Sequence, residues 1–91
     1  MPSKIYTVAL TKKAEKALKQ LPPGIQARMA KALLELKSNP RPNGVKKLAD
    51  KHSIYRTRVG DYRIVYEVID HEIRIIVIAI GHRREVYRKN P

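Results

Sequence analysis

The stretch from Ile54 to Ile80 constrains the fold most, because it contains three strand-like runs joined by two short connections. Polar and apolar residues alternate along 54–59 and 62–69, which is the period of a half-buried strand. Gly60-Asp61 and Asp70-His71 separate the runs, and a glycine in the first central position suits a two-residue hairpin turn. Short connections make successive strands antiparallel neighbours. The segment therefore predicts an antiparallel sheet.

The third run differs from the other two because it is apolar on both faces. Its alternating sets are Ile73, Ile75, Val77 and Ala79 on one side, and Ile76, Ile78 and Ile80 on the other. Only Arg74 interrupts them. A strand without a polar face is typical of the middle of a sheet that is covered on both sides. We therefore expect this strand to be central and both of its faces to be buried.

The first half of the chain predicts a strand followed by two helices. The β-branched and aromatic content of Lys4 to Leu10 favours a short strand at the edge or in the middle of the sheet. Thr11 is a candidate N-cap for a helix from Lys12 to Leu21. Pro22-Pro23-Gly24 ends that helix, and the prolines suit the first turn of a second one, which runs to about Lys37. Together the two helices form a hairpin.

The segment between the helices and the sheet is less regular. Ser38 to Gly44 has the proline, asparagine and glycine content of a loop. Val45 to Ser53 is ambiguous, and we interpret it as one short turn that carries Leu48 into the core. The whole order predicts an α+β fold: a small antiparallel β-sheet with an N-terminal strand and a helical hairpin packed on one face. Residues 1–91 suffice for one domain with a single core.

The charge limits the class of partner. The chain carries 20 Lys and Arg against 8 Asp and Glu, a formal net charge of +12, which points to nucleic acid, an anionic membrane surface or an acidic protein. No apolar run is long enough to span a membrane, and no signal-peptide pattern or cysteine is present. We therefore expect a cytoplasmic protein without membrane contact.

The distribution of the charge separates these partners further. Arginines concentrate in the strand-rich half and lysines in the helical half. Arginine meets phosphate with a planar, bidentate fork, whereas lysine on a helix is more often solubilising. This pattern favours polyanion binding by the sheet over a basic amphipathic helix on a membrane. A solvated basic face without a role is the simpler alternative.

One set of side chains could carry chemistry. The candidates are Arg56, Arg58, Arg63, His82, Arg83, Arg84 and Tyr87. Cations and phenols suit cleavage of RNA by its own 2′-hydroxyl, a reaction that requires neither a metal nor a cofactor. That reaction needs alignment, a proton acceptor, a proton donor and positive charge beside the phosphorane.

The side chains of this set suit different roles. Arginine supplies charge but stays protonated, so it is a poor proton acceptor. His82 has a side chain whose ordinary pKa lies in the working range, although a histidine at a strand end that makes one hydrogen bond is an equally good interpretation. Tyr87 could donate a proton, orient a group or stack on a base.

Two segments carry a family resemblance. Gly-Asp-Tyr-Arg-Ile-Val-Tyr at 60–66 and Gly-His-Arg-Arg-Glu-Val-Tyr at 81–87 resemble the RelE branch of the RelE/ParE superfamily of toxins of type II toxin-antitoxin systems. The preceding strand, the helical hairpin and Asn39-Pro40 agree with it, so the resemblance covers nearly the whole chain. It implies a ribosome-dependent endoribonuclease that cuts mRNA in the ribosomal A site and is inhibited by an acidic, RelB-like antitoxin in a hetero-oligomer.

The resemblance also implies residue roles. Arg63 and Arg83 correspond to arginines that bind phosphate and stabilise the transition state, and Tyr87 corresponds to the tyrosine that orients or stacks on the substrate. Arg56 and Arg58 stand where the best known members have lysines with acid/base and charge roles. Because arginine does not readily lose its proton, the acid/base role does not transfer to these two positions. With Arg84 they are candidate substrate contacts.

Two other functions stay open. The ParE branch shares the fold and is associated with inhibition of DNA gyrase without nuclease activity, but it typically lacks the basic and tyrosine set at the end of the sheet. A plain RNA-binding module would use the same arginines to follow the phosphate backbone without cutting it.

Overall fold

A computed structural model of the chain describes residues 4–49 and 53–82. Two helices and five strands follow one another along it: β1 (Thr7–Leu10), α1 (Lys12–Lys19), α2 (Pro23–Ser38), β2 (Lys46–Ala49), β3 (Ile54–Val59), β4 (Tyr62–Ile69) and β5 (Arg74–His82). The five strands form one sheet, and both helices pack on it. The predicted α+β fold is confirmed.

The sheet has the strand order β1-β5-β4-β3-β2. β3, β4 and β5 form the predicted antiparallel meander, and Tyr66 of β4 lies opposite both Tyr55 and Val77. β1 joins the edge beside β5 and runs parallel to it, with Thr7 opposite Arg74. The helices return the chain across one face before β5 forms, as a parallel pair requires. The sheet is therefore mixed, and β5 occupies an inner position as expected.

The two connections of the meander differ in form. Val59 pairs with Tyr62, and Gly60 between them has a φ of 62°, the left-handed backbone that the hairpin turn predicts. The second connection is a turn of 3-10 helix over Asp70–Glu72, followed by Ile73 with a φ of 53°. β5 consequently begins at Arg74 and not at Ile73.

A register shift in β5 changes which side chains share a face. Val65 pairs with Ala79 and Tyr66 with Val77, so Ile78 is an extra residue between them, a β-bulge. The bulge brings Ile80 onto the buried face with Ile75 and Val77. The predicted grouping of Ile80 with Ile76 and Ile78 is therefore wrong, and so is full coverage of both faces, since Ile76 and Ile78 are only half-buried.

The helices cover one face of the sheet. Thr11 caps α1 as predicted: its hydroxyl accepts from the Ala14 N–H at 3.1 Å and donates to the Ile78 carbonyl at 3.1 Å. Ala14, Met29 and Leu36 contribute the fully or almost fully buried helical side chains. Against them lie Tyr6, Tyr55, Ile64, Tyr66, Val68, Ile75, Val77 and Ile80. In the described part of the chain, no helix combines the length and apolarity needed to cross a bilayer.

We expected Val45 to Ser53 to form one short turn that carries Leu48 into the core, and this prediction is wrong. Residues 46–49 form strand β2, which pairs antiparallel with β3, and Lys46 lies opposite Arg56. Leu48 is 44% exposed and does not enter the core. The backbone of this segment forms hydrogen bonds with the neighbouring strand β3, and this pairing stabilises the strand. The composition of the segment alone therefore does not predict it.

Gly60→Ala should destabilise the fold, because a left-handed φ costs a residue with a Cβ about 1 kcal/mol. The added Cβ would also lie 3.3 Å from the Arg28 guanidinium. Gly24→Ala is the matched control, since Gly24 lies in α2 with no heavy atom within 4 Å of an added Cβ. The control should be neutral or stabilise by about 0.5 kcal/mol. Urea unfolding measures both, and equal midpoints would contradict the assignment of the turn.

Candidate nucleic-acid interface

Three arginines lie together on the face of the sheet that the helices leave open. Arg56 and Arg58 of β3 alternate with Tyr55, whose ring is buried against the helices, and Arg63 of β4 alternates with the buried Ile64. Arg58 and Arg63 are directly opposite each other in the ladder, a position in which Cβ atoms are about 5 Å apart. Arg56, Arg58 and Arg63 are called the arginine face below. Their gathering on one face confirms the strand alternation expected from the sequence.

The members of the arginine face differ in exposure. Arg58 is exposed and Arg56 half-buried, whereas Arg63 is 7% exposed, the most buried charged side chain among residues 4–49 and 53–82. Like charges placed opposite each other across a ladder destabilise a sheet, and a buried guanidinium cannot lose its charge to relieve the repulsion. The arrangement therefore holds concentrated positive charge in a fixed position, which suits a phosphate.

One further cation shares the arginine face, and another lies at the hairpin turn between β3 and β4. Lys46 of β2 lies opposite Arg56, so its side chain shares that face. Arg28 of α2 places its guanidinium against Gly60 at the hairpin turn. Sequence reasoning missed both. Lys46 could have been found from a correct assignment of β2, but Arg28 carries no local signal because only the packing of α2 brings it to the turn.

His82 is the last residue of β5. Its backbone is close to that of Arg63, but its side chain is not on the arginine face. Its ladder partner is Tyr62, and the two rings meet edge-on with centroids 5.6 Å apart. Tyr62 packs against the core, so the imidazole lies on the helix side. Gly81, the preceding residue, is opposite Arg63. The structure thus brings the backbones of His82 and Arg63 together at one end of the sheet and directs their side chains to opposite faces.

Arg83, Arg84 and Tyr87 lie outside the described residues, so their roles stay predictions. Within the part of the chain that is described, no three His, Asp or Glu side chains come together as ligands for a metal. The site as described is therefore a surface of arginines with an adjoining lysine.

A second polar cluster lies towards the other end of the sheet. Arg41 donates to both carboxylate oxygens of Asp70, at 2.8 Å and 3.4 Å, and to the Tyr55 hydroxyl at 2.9 Å. Tyr6 donates to Asp70 at 2.7 Å. Tyr66 donates to the Pro40 carbonyl at 2.7 Å. These bonds fasten the loop after α2 to the sheet, so Arg41 is neutralised by Asp70 and is distinct from the arginine face.

The contacts of this cluster change its acid-base behaviour. Hydrogen bonds from Arg41 and then from Tyr6 lower the pKa of Asp70. The hydrogen bond to Asp70 raises the pKa of Tyr6, with burial adding to it. Burial raises the pKa of Tyr66 to about 12. At neutral pH Asp70 is consequently charged and is held by Arg41 and by the neutral phenol of Tyr6.

Comparison with known proteins gives one consistent family. Residues 8–87 match the family described as ParE toxin of the type II toxin-antitoxin system, parDE. Toxin RelE of Mycobacterium tuberculosis is 36% identical over 87 residues, which is 94% of this chain and 90% of that protein. The mRNA interferase toxin RelE of Escherichia coli K12 is 31% identical over 86 residues, 90% of each chain.

Solved structures agree. The archaeal RelE-RelB complex from Pyrococcus horikoshii contains a chain that superposes with a TM-score of 0.76 at 27% identity, over 87% of this chain and 96% of that one. The intact E. coli RelBE toxin-antitoxin complex gives a TM-score of 0.75 at 28% identity, over 85% and 95% of the two chains. The similarity therefore extends over the sheet and both helices.

Asp70→Asn should lower stability at neutral pH and lose that effect in acid. Because the pKa of Asp70 is lowered in the folded chain, its ionised form stabilises the fold above the unfolded pKa of about 3.9. That contribution disappears as pH falls through the lowered folded value. Urea unfolding from pH 7 to pH 2 measures it, with Asp61→Asn in the exposed hairpin turn as control. A deficit in Asp70→Asn that is as large at pH 2 as at pH 7 would contradict the assignment.

Proposed function

We propose that this chain cleaves mRNA in the ribosomal A site without a metal. The premise is that it belongs to the ParE toxin family and is a RelE-like toxin of a type II toxin-antitoxin system. The observation that carries the proposal is the arginine face, where three guanidinium groups occupy one side of two paired strands. The E. coli relative named an mRNA interferase supports the same activity.

The proposed reaction is attack by the 2′-oxygen of one nucleotide on its own 3′-phosphate. The bond from phosphorus to the 5′-oxygen of the next nucleotide breaks, which leaves a 2′,3′-cyclic phosphate and a 5′-hydroxyl. Negative charge grows on the phosphoryl oxygens in the transition state, and fixed cations stabilise it most where water is excluded. Arg63 is buried and lies opposite Arg58, so this pair is suited to hold the phosphate.

The proton transfers need a group other than these arginines, since guanidinium groups stay protonated. His82 is the candidate predicted from the sequence; its backbone lies next to the residue opposite Arg63, but its imidazole lies on the helix side of the sheet, away from the arginine face. Lys46 is a second candidate, because it shares the open face and lies opposite Arg56. Tyr87 and Arg83 keep their proposed roles as substrate-orienting and phosphate-binding residues. Arg84 is proposed as a further RNA contact.

The gyrase-inhibitor alternative rests on the ParE description of the matched family. The M. tuberculosis and E. coli relatives, which match 94% and 90% of this chain, however, carry RelE names, and the arginine face has the chemistry for a phosphate backbone. We therefore favour the nuclease. An RNA-binding module without cleavage would retain the arginine face but would not need a proton acceptor.

An antitoxin partner follows from the same comparisons and from charge. The RelE chains of P. horikoshii and E. coli were solved in complexes with RelB. A toxin with a net charge of +12 is complementary to an acidic chain, and such complementarity speeds association and selects the partner. We propose a RelB-like antitoxin that covers part of the basic surface.

Arg58→Gln should reduce mRNA cleavage by about 10²-fold, the usual effect of removing one donor that stabilises developing charge. Arg63→Lys tests the buried partner while keeping its charge, and it should also lose activity because lysine lacks the bidentate fork. Cleavage is followed by mapping 5′ ends of mRNA on purified translating ribosomes. Lys13→Gln on α1 removes the same charge from the helix side and should cleave normally.

Other outcomes would change the assignment. Cleavage that persists in Arg58→Gln and Arg63→Lys would contradict the arginine face as the site. Growth arrest with intact mRNA would favour the gyrase inhibitor, and ribosome binding without cleavage would favour the RNA-binding module. Comparison of His82→Ala with Lys46→Ala identifies the proton acceptor, because only loss of that group should change the pH dependence of the cleavage rate.

An acidic RelB-like antitoxin, produced together with the toxin, should copurify with it at low salt and block its cleavage of mRNA. Screening weakens contacts between exposed charges, so the association rate should fall as salt rises, which stopped-flow measurement can follow. A partner that binds without blocking cleavage, or at a rate independent of salt, would contradict the proposed charge pairing.

A further inference from the structure

A groove of about 450 Å³ lies on the helix side of the sheet, at the edge of β3 that adjoins the arginine face, between the end of α2, the loop that follows it and the end of β3. Leu36 and Val59 contribute apolar surface, and Glu35, Asn39 and Asn43 contribute polar groups. Arg58 lines the groove as well. Most of the lining residues are polar, and the volume lies within the range of sites that hold a small molecule.

We propose that this groove binds one nucleobase of the RNA whose phosphate lies on the arginine face, and that it prefers a base with an exocyclic amino group. The proposal rests on the proposed function for the presence of RNA. It adds a site for base recognition to the site for phosphate.

Arg58 connects the groove to the phosphate site. Its position opposite Arg63 places its side chain on the arginine face, while the residue itself borders the groove together with its neighbours Thr57 and Val59. This is possible because, within the described residues, β2 pairs with β3 only as far as Arg56. The edge of β3 from Thr57 to Val59 is therefore free of β2, and a nucleotide can pass over it. An arginine at such a point can hold a phosphate or stack on a base.

Glu35 decides what kind of group the groove accepts. It lies in the last turns of α2, where the helix dipole disfavours negative charge, and it makes no ion pair with another residue in 4–49 or 53–82. Glu35 therefore has no evident role in helix stability. An ionised carboxylate only accepts hydrogen bonds, so it repels a phosphate or an acidic peptide and favours the amino groups of adenine, cytosine or guanine over uracil.

The two asparagines complete the donor and acceptor set. Asn39 accepts from the backbone N–H of Arg41 through its side-chain oxygen at 3.3 Å, which leaves its amide NH₂ available as a donor. Asn43 is exposed at the rim and offers both a donor and an acceptor. Because the Arg41–Asp70 ion pair fastens this loop to the sheet, these amides are held in position before a base arrives.

The test measures binding of RNA that cannot be cut. Hexamers of 2′-O-methyl uridine, and versions in which one uridine is replaced by A, C or G, are titrated against the wild type, Glu35→Gln and Glu15→Gln by fluorescence anisotropy. The wild type should prefer an amino-bearing base at one position by about 10-fold. Glu35→Gln should reduce that preference to about twofold or less. Glu15→Gln, which removes an acid from α1, should keep it.

The outcomes separate this proposal from the nuclease. Equal affinity of the wild type for all hexamers, no binding of any hexamer, or an unchanged preference in Glu35→Gln would overturn the base site whether or not the protein cuts mRNA. A preference that depends on Glu35 would support it even if cleavage were never observed. If Glu35→Gln weakened antitoxin binding and left base preference intact, the groove would belong to the protein partner and the proposal would be wrong.

Discussion

The register between β3 and β4 is the constraint on which the rest of the structure depends. A two-residue turn at Gly60 pairs Val59 with Tyr62, and every later pair follows from that one. Side chains alternate with a period of two, so a slip by one residue would exchange the two faces. With the observed register, Tyr55 and Tyr66 stack with ring centroids 6.0 Å apart under the helices, and the arginines lie on the other side. The same turn thus sets both the core and the candidate site.

The arginines described below lie in two different environments. Arg41 is paired with Asp70 and bonded to a tyrosine, and it serves the attachment of a loop. Arg56, Arg58 and Arg63 instead stand beside one another, with Lys46 in the adjacent strand. Arg58 and Arg63 lie directly opposite each other, a position in which like charges repel. A polyanion is the kind of partner that such a concentration of positive charge attracts.

The parts that could be predicted from sequence are those set by local patterns. The alternation in residues 54–69, the hairpin glycine, the Thr11 cap and the proline start of α2 all depend on neighbours within a few residues. β2 could not be predicted in this way, because a four-residue strand is stabilised by the edge it joins and not by its own composition. The bulge at Ile78 had no signal either, since isoleucine occupies both faces of the run and its side chains do not distinguish one register from the other.

The sequence by itself determined the α+β order, the two faces of β3 and β4, and the concentration of arginine on one of them, because strand periodicity is a local property. Only the tertiary structure decided that Lys46 shares the arginine face, that Arg28 reaches the hairpin turn, that the His82 imidazole lies on the helix side, and that Arg58 borders a groove lined by Glu35. These relations join residues far apart in the chain. They depend on how α2 and β2 pack against the sheet, which no periodicity in the sequence encodes.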